Sequence, residues 1–199
     1  MRGRVVRLAS GCGLLGVGIA LMVRADLGLS PWDVLHQGIS ERTGIPIGSA
    51  GIVVGLFVLA GWVPLKQRLG AGTAVNVVLV GTTVDVTLAA AGDPTSTAAR
   101  WGALLAGVFL CALGTALYIG AGLGTGPRDG LMTGLATRTD RSIRLVRTAI
   151  ELTVLGIGWA LGGSVGVGTA VFALAIGPLI QLFLGRLTVP IPTLTTPAE

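Results

Sequence analysis

Two short stretches of the chain carry the residues best suited to chemistry. They are Gly28-Leu29-Ser30-Pro31-Trp32-Asp33 and Gly124-Thr125-Gly126-Pro127-Arg128-Asp129. In each, a glycine permits a turn, Ser30 or Gly126 suits the N-cap of a helix, Pro31 or Pro127 suits its first position, and Asp33 or Asp129 falls at N3. Each proline therefore starts a short helix, running to about Ser40 and Ala136. A helix N-terminus carries partial positive charge. Two of them approaching one site from opposite faces would make a polar substrate site lined by Gly28, Ser30, Pro31, Asp33, Gly124, Gly126, Pro127 and Asp129. The other reading makes each a capped interfacial helix that joins two spans. The spacing is compatible with both.

Further residues extend this candidate site. Gly-Thr-Ala-Val occurs twice, at 72–75 and 168–171. Its small residues suit helix starts and close packing, and they equally let backbone at Thr73 and Thr169 face a cavity. Asn76 follows the first copy and Phe172 holds the matching place in the second, so any polar lining is uneven. Asp85 is an acid within an apolar run, a position that suggests proton coupling unless water reaches it near the span end. Glu151 lies four residues after Arg147 and is expected to pair with it. His36, the single histidine, is expected at an interfacial surface, and Trp32, Trp62, Trp101 and Trp159 at the membrane interfaces. Cys12 and Cys111 are expected as buried packing residues. The chain shows no metal-ligand spacing, no Gly-Lys-Ser/Thr phosphate loop and no nucleophile with its base. Neither an enzyme nor a cofactor is expected.

The elements that position these residues are membrane spans. Over 199 residues, 52% are hydrophobic and 12% charged, about half the charged share of a soluble domain. Mean hydropathy is +0.84. The net charge of +5 comes mostly from arginines between apolar runs. That pattern marks topology, not nucleic-acid binding. The N-terminal basic and apolar stretch has no small-x-small cleavage site before Arg24-Ala25-Asp26, so it is expected to be a span and not a signal peptide.

Sliding the chain against itself by 96 residues aligns residues 4–88 with 100–184 without a gap, at 28 identities. Both chemical motifs keep that offset, so the chain is a duplication. Its expected repeats cover about 4–92 and 100–188 of a single membrane domain spanning 1–199, with a flexible tail at 189–199. Expected spans lie near 5–23, 47–64, 72–91, 101–120, 146–163 and 168–186. The expected fold is thus an all-α integral membrane protein of about six transmembrane helices. It forms two inverted three-helix repeats, each with a short Pro-started helix after its first span. With the N-terminus inside, the inner segments hold eleven Arg and Lys residues and the outer ones three. Both termini are therefore expected in the cytoplasm, in a bacterial cytoplasmic (inner) membrane.

The segments 25–33, 122–131 and 165–172 resemble the YczE/YitT-type bacterial membrane proteins, the YczE branch nearest. The resemblance covers roughly residues 20–185. It implies a small multi-span inner-membrane protein and supplies no catalytic residues. The expected function is a small secondary transporter or permease with its site between the repeats, or a channel relative of one. The other class is a membrane accessory or regulatory protein that binds a partner through Gly-rich faces. Expected partners are the lipid bilayer, a small-molecule or ion substrate, and, through those faces, a second copy or another membrane protein, with no nucleic acid.

Overall fold

A computed structural model describes residues 1–67 and 70–187; the tail expected to be flexible and Arg68 lie outside the described residues. The fold is all-helical: α1 (Arg2–Ala25), α2 (Pro31–Thr43), α3 (Ile47–Trp62), α4 (Ala71–Ala90), α5 (Thr97–Gly120), α6 (Pro127–Thr139), α7 (Ile143–Ala160) and α8 (Val167–Leu187). Among the described residues, four helices are long and apolar enough to cross a membrane, namely α1, α4, α5 and α8. A fifth span results if α2 and α3, bent by 114° at their junction, count as one.

This differs from the six spans expected from sequence, for physical reasons. The 16 residues of α3 rise only about 24 Å, short of a hydrocarbon core of about 30 Å. In α7, Arg144, Arg147 and Glu151 occupy the first half of an 18-residue helix. The outer surface is nonetheless apolar, with Phe57, Trp159 and Leu174 69–79% exposed. Such a surface belongs in contact with lipid.

The centre of the molecule is the crossing of α1 and α5. A Cβ on Gly18 would lie 2.7 Å from the carbonyl oxygen of Gly107, and one on Gly107 would lie 2.7 Å from that of Gly18. Gly11 and Gly114 meet in the same reciprocal way, at 2.7 and 2.6 Å. Gly11 and Gly107 are repeat partners, as are Gly18 and Gly114. Absent side chains thus let the two backbones touch, the usual basis of helix association in a medium that gives no hydrophobic drive. Ile19, Met22, Leu104 and Val108 are buried beside the crossing.

The backbone repeats as the sequence does. Every described residue with positive φ has a counterpart 96 residues away: Asp26 with Gly122, Gly28 with Gly124, Gly44 with Asp140, and Lys66 with Gly162. The halves also interlock. α2 packs on α7 and α6 packs on α3, so each short helix lies against the other half. The Gly168 N–H donates to the Leu27 carbonyl at 2.6 Å, and the Gly72 N–H donates to the Leu123 carbonyl at 3.1 Å. These two bonds are equivalent under the same offset.

Candidate functional site

The two Pro-started helices begin where their residue types require. Pro31 and Pro127 are the first helical residues of α2 and α6. The Ser30 side chain accepts from the Asp33 backbone N–H at 3.3 Å, while Gly126 has no side chain to offer. Both helices end in a left-handed residue, Gly44 and Asp140.

Their N-termini border one cavity of about 290 Å³. Its wall includes Ser30, Pro31, Asp33 and Asn76 from the first half, and Gly126, Pro127 and Asp129 from the second. A smaller void of about 60 Å³ adjoins it, sharing Asp33, Asn76 and Arg128 and reaching His36 and Gly51. Other expected site residues lie elsewhere and hold the frame. Gly28 and Gly124, at φ 109° and 148°, bring their loops against Gly166 and Thr73 of the opposite half. The Thr73 hydroxyl donates to the Thr125 carbonyl at 2.8 Å, and Thr169 accepts from the Gly166 N–H at 3.3 Å. The Gly-Thr-Ala-Val starts therefore pack against the Pro-Asp loops.

Asp85 also stands apart from the cavity. Its carboxylate accepts from the Gly48 and Ser49 N–H groups at 2.6 and 2.8 Å and from the Ser49 hydroxyl at 2.8 Å. It caps α3, whose N-cap residue, Pro46, offers no side-chain bond. Asn76 donates to Cys12 Sγ at 3.4 Å on the cavity wall.

The structure corrects two expectations. His36 is buried, not at an interface; its Nδ1 lies 3.4 Å from Asp33, and Gly51 of α3 leaves it room. Trp32 and Trp62 are buried as well, and the Trp62 indole N–H donates to the Pro127 carbonyl at 2.9 Å. Trp101 and Trp159 are exposed, and Cys12 and Cys111 are buried free thiols. Arg147 and Glu151 pair at 2.9 Å.

Several cavity residues escaped the motif reading. Arg128 places its guanidinium 5.0 Å from the centre of the Trp32 ring and 3.6 Å from Asp33. Arg128 and Trp32 occupy the same position of the two repeats, so equivalent sites meet across the cavity. A signal existed: beside the kept Gly, Pro and Asp of the motif, this pair differs most in chemistry. Tyr118, Arg147 and Glu151 complete the lining. The two aspartates are unequal. Asp33 is 4% exposed and held by Ser30, His36 and Arg128. Asp129 is exposed on the cavity wall and, among the described residues, has no basic partner in ion-pair range.

The comparisons with known proteins cover most of the chain. Residues 3–185 match the model of a "Family of unknown function (DUF6198)". The chain belongs to this family. An "Uncharacterized protein" of Haemophilus influenzae is 42% identical over 86% of this chain and 78% of its own length. The "Uncharacterized membrane protein YczE" of Bacillus subtilis is 32% identical over 86% of this chain and 80% of its own. The match to a membrane protein agrees with the four apolar helices, and the chain is a multi-pass membrane protein. No solved structure matches it.

Proposed function

We propose that the protein is a small secondary transporter whose substrate site is the cavity between the two Pro-started helices. The observation that carries this reading is that one cavity is bordered by both helix N-termini, with one aspartate closed off and its repeat partner open. In this reading the halves are inverted repeats, and α2–α3 and α6–α7 each act as one broken span. That restores six crossings, with both termini in the cytoplasm of a bacterial inner membrane. Broken helices that meet around a polar cavity are the usual construction of such sites. Exchange of the two environments, Asp33 opening as Asp129 closes, would move the access side.

Cysteine accessibility tests the proposal. Cys12 and Cys111 are replaced by alanine, and single cysteines are placed at Ser30 and at Asp129. An impermeant thiol reagent is then applied to sealed vesicles of each orientation. The expected result is that a position is reached from both sides, or that added solutes change its protection. Reaction of position 30 only from the outside and of position 129 only from the inside, each at full rate, would reject the transport reading in favour of an accessory role.

A further inference from the structure

Building on the transport reading, we infer that the cavity takes a small zwitterion, a molecule of the amino-acid class carrying both a carboxylate and an ammonium group. The first argument is an excess of unused donors at one place. The Trp32 indole N–H is buried and has no hydrogen-bond partner, and Trp32 as a whole is 5% exposed on the cavity wall. An unmet buried N–H is costly, so it persists where something else supplies the acceptor. Beside it, Arg128 lies over the Trp32 ring and 3.6 Å from Asp33, and it makes no hydrogen bond among the described residues. A guanidinium offers a planar fork of N–H groups that matches a carboxylate. Arg128 and Trp32 together thus present donors to one carboxylate.

The second argument is charge. The cavity wall holds Arg128 and Arg147 against Asp33, Asp129 and Glu151, which leaves one acid in excess. Arg147 is bound to Glu151, and Asp33 is bound to Ser30 and His36 and faces Arg128. The acid left over is Asp129, which is exposed on this wall and has no basic partner in ion-pair range among the described residues. A plain carboxylate would add a second uncompensated negative charge to this wall. A plain ammonium would leave the Trp32 and Arg128 donors unmet. A zwitterion answers both, its carboxylate on Trp32 and Arg128 and its ammonium on Asp129. The volume, about 290 Å³, lies near the lower end of the roughly 300–1,000 Å³ of ligand pockets. That favours a small molecule of this class over a peptide.

Binding to the purified full chain in detergent tests this without requiring transport. Each standard amino acid is added at millimolar concentration and the thermal midpoint is followed, since a ligand of the folded state raises it. Acetate and methylamine, each half of the zwitterion, are the comparison probes. The expected result is a rise with at least one amino acid and none with either half-molecule. Trp32→Phe keeps the ring and removes the donor, so it should weaken that binding about tenfold, the loss of one hydrogen bond to a charged group. Asp129→Asn should weaken it at least as much. Overturning results are no rise with any amino acid, an equal rise with acetate or with methylamine alone, or unchanged affinity in Trp32→Phe. Such a failure, alongside two-sided cysteine access, would reject the zwitterion and leave the transport reading standing.

Discussion

At the scale of single residues, the acids show how far partners decide a role. Asp85 reads in sequence as a lone acid in an apolar run, because the groups it binds lie 36 and 37 residues earlier in the chain. In space it supplies the cap that Pro46 cannot give to α3. Asp85→Ala should therefore lower stability by about 1–3 kcal/mol, through loss of a cap and exposure of two orphan N–H groups. The check is the thermal midpoint of the purified protein in detergent, with Asp85→Asn intermediate. An unchanged midpoint with lost proton-coupled flux would instead give the acid the proton-carrying role its sequence position suggests. His36 was illegible for a similar reason. The space that buries it comes from Gly51 on another helix, and no local pattern announces that pairing. Ser30 and Asp33, by contrast, were legible because their bonds close within three residues.

At the scale of elements, local chemistry predicted starts well and packing poorly. The prolines began α2 and α6 as their N1 preference requires. α3 falls short of a full span by its 16-residue length, and α7 by the charges in its first half. Which helices touch was not readable, and the α1–α5 crossing shows why. Gly11, Gly13, Gly16 and Gly18 look alike in sequence, yet a Cβ on Gly13 would meet nothing within 4 Å while one on Gly18 would meet the Gly107 carbonyl at 2.7 Å. Gly18→Ala should force α1 and α5 apart at a cost of about 1–3 kcal/mol. Gly13→Ala should be neutral or stabilise by up to about 1 kcal/mol, from the lower backbone entropy of alanine. Comparing the two variants by thermal unfolding isolates packing from helix propensity. Equal effects would show that the close approach contributes nothing.

At the scale of the whole molecule, the duplication governs how the halves depend on each other. The offset of 96 residues was legible from identities alone, and it reappears in the four pairs of positive-φ positions. That each half completes the other was not legible. The Leu27 carbonyl receives its bond from Gly168, and the Leu123 carbonyl from Gly72. α2 rests on α7 and α6 on α3. A half made alone would leave these N–H and carbonyl groups without partners. In a lipid setting each such group costs several kcal/mol, since no water replaces the lost bond. It would also strip a short helix of its bed. Cutting the chain in the loop after Gly92, between α4 and α5, should therefore give two fragments that fail to accumulate singly. Produced together, they should copurify as one complex through a tag on either fragment. The α1–α5 crossing and both loop-to-helix bonds form between the fragments, so reassembly needs no covalent link. If either fragment accumulates alone, as a monomer or paired with itself, the interlocking contacts are dispensable. The protein would then be two independent units and not one site shared by two halves.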